Sequence, residues 1–289
     1  MWQKITQRLT DPVFYRKRIR KLRRRFLPPR PANPATVSEL LESLPADGRK
    51  ICAITAHPDD EFFAAGLICE AAARQIPVEI VCLTRGEGGP LGDQTRETLG
   101  RKRESELRAS ATALGVGRIT FLGHVDPIGK TFRTFAPAVS LAHLADQLRE
   151  LISDRRPGLI VTHGSGGEYW HPAHLLLHHA VFHSIKTVRF PRPAIATFQA
   201  WQPHHPMKSL LNEDDPADLI LETAAFRDKR LAALAAHESQ SDYFSQISGG
   251  SLADFVDRTQ TEGYRLYGFK SPRPEAENSD RLPDPVTIR

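Results

Sequence analysis

Two short runs of the chain concentrate residue types that can hold a metal ion and move protons. The first, Ala56-His57-Pro58-Asp59-Asp60-Glu61, sets one imidazole beside two adjacent carboxylates. His57 and Asp60 are three positions apart, close enough for both side chains to turn toward one ion, which leaves Asp59 free for proton transfer. A plainer assignment also fits, because either aspartate could cap a following helix. The second run, Glu168-Tyr169-Trp170-His171-Pro172-Ala173-His174, offers two imidazoles three positions apart behind a glycine-rich stretch. Zinc hydrolases commonly take three protein ligands from His and carboxylate and leave a fourth position open for water. His57, Asp60 and one histidine of the second run make such a set, and the other histidine could then act on the substrate.

For this to work, both runs must meet at one edge of a fold, and the apolar pattern supplies that edge. Residues 50–56 form an apolar run of strand length, 61–75 a helical pattern, 78–83 a second strand and 96–114 a long charged amphipathic helix. Residues 118–122, 141–153, 159–162 and 172–185 continue as strand, helix, strand and helix. This alternation predicts an α/β fold: a Rossmann-like, doubly wound, mostly parallel sheet with helices on both faces. The first run follows the first strand and the second follows the fourth. Both therefore lie on loops at the carboxyl ends of strands, where open parallel sheets build their sites. Beyond residue 186 the pattern weakens; 194–200 reads as a further strand and 223–237 as a helix.

With AHPDDE and a distal HPxH in this order, the chain resembles the PIG-L/LmbE-like family of zinc de-N-acetylases. That family includes deacetylases of glucosaminyl-phosphatidylinositol and of thiol-cofactor precursors. The resemblance spans roughly residues 50–270. Three weaker features support it: Leu83-Thr84-Arg85-Gly86-Glu87 after the second strand, Leu114-Gly115-Val116 before the third, and Ala236-His237-Glu238-Ser239-Gln240 at the end of the late helix. It implies a hydrolase that removes an N-acetyl group from an N-acetylglucosamine-type amino-sugar conjugate. The implied ligands of Zn2+ are His57, Asp60 and His174; such ligands would also hold Fe2+ or Co2+. Asp59 is the implied general base, and a charged His171 the implied electrophilic or acid partner. Arg85 is a candidate contact for a sugar hydroxyl or a phosphate, with a local ion pair to Glu87 as the alternative. Tyr169 stands where family members carry a loop tyrosine, with packing on Trp170 as the alternative. His237 and Gln240 are expected to support the fold near the site, and His163, which ends the fourth strand, could stand just behind it.

One residue departs from the family pattern. The second motif is usually HPDH, and Ala173 takes the place of the aspartate that orients the neighbouring catalytic imidazole. Glu168, reaching across the loop, is the candidate substitute. Two other functions stay open on the sequence: a metal-dependent amidase acting on another acyl or cysteinyl amide, and an inactive metal-binding module.

Charge is unevenly distributed. The net charge of the 289-residue chain is +5, but residues 1–30 hold eleven Lys and Arg against Asp11 alone, a net of +10, so the rest carries −5. The basic balance thus belongs to an arm, and nucleic-acid binding by the body is not implied. Within residues 13–26, Tyr15, Ile19, Leu22 and Phe26 recur at helical spacing among basic residues, the pattern of a helix lying on an anionic membrane. A lipid-linked or envelope glycan as substrate would suit that arm. The expected organisation is a basic arm and linker at 1–48, a catalytic domain at 49–270 and a polar tail with four prolines at 271–289. Cys52, Cys69 and Cys82 sit in apolar runs as buried free thiols rather than a disulfide framework. Arg24-Arg25 is followed by Pro28-Pro29 and no apolar stretch, so the expected location is the cytoplasm, with the arm at the inner face of the membrane.

Overall fold

The computed structural model describes residues 36–90, 92–127, 135–189 and 191–269. The basic segment 13–26 and the tail 271–289 lie outside the described residues. Five strands are parallel: β1 (Ile51–Thr55), β2 (Val78–Thr84), β3 (Arg118–His124), β4 (Leu159–Thr162) and β5 (Ala194–Thr197). Two more, β8 (Leu219–Glu222) and β9 (Thr261–Tyr267), extend the sheet antiparallel at one edge. The strand order is β3-β2-β1-β4-β5-β9-β8. A separate two-stranded ladder pairs β6 (Ala200–Trp201) with β7 (Asn212–Pro216). The predicted strand at 194–200 is thus two strands in two sheets.

The central strands are apolar throughout because both faces are covered. On one face, Ile51, Ala53, Ile80, Cys82 and Val161 pack under helices α2 (Ala65–Ala73) and α3 (Arg96–Leu114) and their neighbours. On the other, Cys52, Ile54, Val81, Leu83 and Ile160 pack against α4 (Leu141–Arg155) and α5 (Pro172–Ser184). Three further helices, α6 (Arg227–Ala235), α7 (Ser241–Ser248) and α8 (Leu252–Arg258), lie between β8 and β9. Ahead of β1, the short helix α1 (Val37–Glu42) sends Leu40 and Leu41, both fully buried, into the first of these cores. Packing therefore extends to the amino-terminal side of residue 49. Among the described residues, no helix is long and apolar enough to cross a membrane.

Local signals explain the boundaries. Thr95 caps α3 in a reciprocal pair with Thr98, and Gly115 ends it at φ 84, which is the structural content of the Leu114-Gly115-Val116 motif. The helix expected at 61–75 is divided: a 3-10 turn spans Asp60–Ala64, and α2 begins only at Ala65. Its first N–H groups are satisfied from far away. Glu262 on β9 accepts from Gly66 N at 2.7 Å and Leu67 N at 3.1 Å, and also from the Tyr264 hydroxyl at 2.6 Å.

Strand order places the site. β1 pairs with β2 on one side and β4 on the other, so the chain leaves β1 and β4 in opposite directions. That reversal opens a crevice outside their carboxyl ends. The loops carrying His57–Asp60 and His163–His174 border it.

Glu262 is buried together with Arg230, whose Nε lies 3.6 Å away. Replacing it by Ala would leave helix N–H groups and a hydroxyl without their acceptor and the buried guanidinium with only Thr259 as partner. Glu262→Ala is expected to cost about 3–5 kcal/mol in urea unfolding of the full chain; a loss under 1 kcal/mol would contradict this role for the carboxylate.

Candidate active site

The turn after β1 is held by its own carboxylates. His57 N donates to Asp60 Oδ2 at 2.8 Å, and Asp59 N donates to Glu61 Oε2 at 2.9 Å. Asp59 has φ 110, in the left-handed region that costs a non-glycine residue roughly 1–3 kcal/mol. Neither aspartate serves as the helix cap that the sequence allowed: Asp59 makes no capping bond, and the first N–H groups of α2 belong to Glu262.

Three side chains converge on one point. His57 Nδ1 lies 3.4 Å from Asp60 Oδ2, His174 Nε2 lies 3.3 Å from Asp60 Oδ1, and the two imidazole nitrogens are 3.2 Å apart. Neighbouring ligands of a tetrahedral ion with bonds of 2.0–2.1 Å stand about 3.3–3.4 Å apart, close to the spacing of the two imidazole nitrogens and of each from one oxygen of Asp60, Oδ2 for His57 and Oδ1 for His174. Electrostatics agree. Burial opposes charge on His57, yet hydrogen bonds and attraction from Asp126 and Asp60 overcome it and raise its pKa to about 10. The same field would favour a cation.

Two overlapping groups of potential ligands surround this point: His57, His171 and His174, and Asp60, His163 and His174. Hydrogen bonding tells their members apart. His163 accepts from Ala56 N at Nε2 (3.0 Å) and faces Glu168 Oε2 through Nδ1 (2.9 Å), so both of its nitrogens are engaged. It stacks on His174 at 4.0 Å and holds the loops together. His171 turns Nδ1 to the Ala173 N–H at 3.3 Å, as the cap of α5, which leaves the proton on Nε2. Its ring lies 4.5 Å from His174 and 4.7 Å from His57.

Glu168 organises the second loop. The residue is buried, with φ 56 and ψ −86, and its Oε2 faces both His174 Nδ1 at 2.6 Å and His163 Nδ1 at 2.9 Å. Burial would raise its pKa, but the two imidazoles hold it well below the usual carboxylate range. With Nδ1–H donating to a carboxylate, His174 presents Nε2 as a lone pair. Glu168 therefore orients His174, whereas the sequence suggested it as a substitute partner for His171. Asn212, on β7, fixes the loop in turn: Oδ1 accepts from Gly166 N and Glu168 N, both at 3.0 Å, and Nδ2 donates to Glu168 Oε1 at 3.1 Å.

Burial, with His57 and His174 close by, lowers the pKa of His171, which runs against the charged ring expected from the sequence. No carboxylate stands at position 173 to counter this.

Asp59 lies at the wall of a cavity of about 260 Å³ that His57, Arg103, Asp126, His171 and Tyr243 also line. Burial and the neighbouring Asp60 raise its pKa to about 6 against the pull of Arg103. Arg103 Nη2 donates to Asp59 Oδ2 at 3.1 Å and to Pro58 O at 2.6 Å, while Nη1 donates to Gly86 O at 3.0 Å. Gly86, at φ 68, gives this guanidinium room; a Cβ there would approach it to 2.5 Å. Arg85 has another use: it pairs with Glu87 and Glu97, each at 3.0 Å, and is not part of the cavity wall. Tyr169 is at the wall, with its ring 5.5 Å from His174. His237 and Gln240 lie where support was expected: His237 bonds Glu61 at 2.6 Å, and Gln240 lines the cavity.

Arg103 and Asp126 escaped the sequence reading. A signal for Arg103 existed: in α3 the buried stripe Leu99, Leu107, Ser110, Leu114 also includes Arg103 and Glu106, charges where core packing wants apolar side chains. Asp126 had none, since it follows β3 in an ordinary polar loop.

Comparison with known proteins places this geometry. A family model described as PIG-L, GlcNAc-PI de-N-acetylase, matches residues 52–185. The chain is 30% identical over 233 residues to the 1D-myo-inositol 2-acetamido-2-deoxy-alpha-D-glucopyranoside deacetylase of Acidothermus cellulolyticus, covering 66% of this chain and 80% of that protein. It is 28% identical over 234 residues to a probable N-acetyl-alpha-D-glucosaminyl L-malate deacetylase 2 of Bacillus anthracis, covering 77% and 96%. Among solved structures it is similar to N,N'-diacetylchitobiose deacetylase from Pyrococcus horikoshii, with TM-score 0.55, 18% identity and coverage of 80% and 90%. It is also similar to the 4-carboxy-2-hydroxymuconate hydratase GalB from Pseudomonas putida KT2440, with TM-score 0.59, 18% identity and coverage of 78% and 100%. At such identities the structural likeness shows the fold alone.

Removing the carboxylate behind His174 is expected to weaken metal binding by roughly 10–100-fold. Zinc competition titration of Glu168→Gln against the parent chain checks this, and unchanged affinity would contradict the orienting role.

Proposed function

The chain belongs to the PIG-L family of GlcNAc-PI de-N-acetylases and their relatives, and from that premise we propose that it is a zinc-dependent hydrolase of the N-acetyl group of an N-acetylglucosamine-type conjugate. The observation that supports the proposal is the convergence of the His57, Asp60 and His174 side chains, with Asp59 beside them at the wall of the larger cavity. His and carboxylate ligands suit zinc. When bound there, zinc supplies a Lewis acid for the amide carbonyl and makes water easier to deprotonate.

The chain's own residues divide the rest of the work. Asp59, held by Arg103, takes a proton from the attacking water. Its raised pKa suits it to return that proton to the departing nitrogen, which a neutral His171 could do only by becoming an imidazolate. His171 instead donates Nε2–H to the carbonyl oxygen as negative charge develops. Arg103 and Asp126 put a donor and an acceptor on the cavity wall for sugar hydroxyls. Residues 13–26 would bring the body to an anionic surface, which suits a lipid-linked or envelope glycan.

Purified with zinc, the chain is expected to release amine and acetate from N-acetylglucosamine conjugates, and a chelator should abolish release. Asp59→Asn should lower kcat by about 10²–10⁴-fold with zinc still bound. Activity should fall with acid as Asp59 becomes protonated; a bound cation reinforces Arg103, so that limb lies at or below pH about 6. Full activity of Asp59→Asn would overturn the assignment.

A further inference from the structure

A second, smaller cavity adjoins the first. It measures about 20 Å³, and the two share Asp59, Tyr169 and Tyr243. Its other walls are apolar apart from Asp60: Phe63 from the turn after β1, Leu210 from the 3-10 turn Lys208–Leu210, and Phe244 and Ile247 from α7. The carboxylates beside the candidate metal position therefore stand between a roomy space bordered by Arg103, Asp126 and Gln240 and a narrow one walled mainly by Phe63, Leu210, Phe244 and Ile247.

That contrast dictates how an amide can lie. A hydroxylated ring suits the larger cavity, where Arg103, Asp126 and Gln240 offer polar groups. The scissile bond then falls beside Asp59 and Asp60, and the acyl group points into the smaller cavity. About 20 Å³ accepts a group the size of a water or a methyl. Phe63, Leu210 and Phe244 are 8%, 5% and 3% exposed and belong to the main core, so those walls cannot retreat without loosening it. Ile247 is only half-buried and packs against the core from its edge, which makes it the apolar wall residue whose change disturbs the core least.

We propose that this pocket gauges acyl length: it admits the acetyl methyl, excludes longer acyl and cysteinyl groups, and has its depth set by Ile247 against Leu210. The inference rests on the deacetylase reading and narrows it. Discrimination by a close-fitting apolar pocket runs at roughly 10-fold or more per methylene, so an N-butyryl substrate should be about 100-fold slower than its N-acetyl counterpart.

The test uses the zinc-loaded full chain and one aglycone carrying N-acetyl, N-propionyl, N-butyryl or N-hexanoyl glucosamine. kcat/KM is measured for the parent, Ile247→Ala and Ile247→Phe. Thermal shifts with acetohydroxamate and hexanohydroxamate report pocket occupancy without turnover. The expected parent profile falls steeply with acyl length. Ile247→Ala should shrink the acetyl-to-butyryl ratio by about 10-fold, and Ile247→Phe should lose acetyl turnover while keeping its melting temperature. The hydroxamates should follow the same order, with only the short one stabilising the parent. A flat length profile in the parent, or an unchanged ratio in a folded Ile247→Ala, would overturn the gauge and leave the deacetylase reading standing. Release of no amine from any of the four would sink that reading instead. The hydroxamates would then still decide the gauge, because equal stabilisation by both overturns it.

Discussion

Two imidazole nitrogens, His57 Nδ1 and His174 Nε2, face each other across 3.2 Å beside the Asp60 carboxylate. Lone pairs at that distance repel unless a proton or a cation lies between them, so the arrangement must be held from outside. The holding is layered. Asp60 is tied to the His57 backbone, Glu168 to His174 and His163, and Asn212 to Glu168. His163 closes the circuit by accepting from Ala56 N at the end of β1. Two loops that leave the sheet in opposite directions are thereby joined into one rigid wall, and the strand reversal between β1 and β4 is what puts them within reach.

Ala173 takes on a definite meaning in this network. With no carboxylate at 173, the acid that the second loop itself supplies is Glu168, and it faces His174 Nδ1. His174 is thus supported by a charge, while His171 is supported by a backbone N–H and its pKa is lowered by burial beside His57 and His174. In the proposed reaction proton traffic falls to Asp59, whose buried carboxylate has a raised pKa. The fold does not choose this chemistry, since a hydratase shares it. The choice lies in which side chains stand at the two strand ends.

Much of this was legible in the chain. The central strands read as apolar runs because both faces are covered, and the two motifs stood out because charge and imidazole interrupt such runs at strand ends. What stayed hidden depends on contacts between distant residues. β7 is a polar strand, Asn212–Pro216, whose Asn212 and Asp215 face the site loop and whose pattern therefore resembles a turn. β9 carries Glu262, which serves a helix start 196 residues earlier, a pairing that no local pattern encodes. Arg103 looked like one more basic residue on a charged helix until the turn after β1 was placed against it. The 3-10 turn Asp60–Ala64 likewise starts at Asp59, a left-handed residue bonded locally by Glu61 and from α3 by Arg103, and only the second of these lies outside its own segment.

The central claim is the identity of the three ligands, and X-ray absorption at the zinc edge of the loaded chain tests it most directly. One zinc per chain is expected, bound by two imidazoles and a carboxylate with nitrogen and oxygen neighbours at about 2.0–2.1 Å. His174→Ala should remove one imidazole from the spectrum, and His163→Ala and His171→Ala should leave both in place. A spectrum with three imidazoles, or one that loses an imidazole in His163→Ala or His171→Ala, would contradict the assignment and move the centre to one of the neighbouring donor groups.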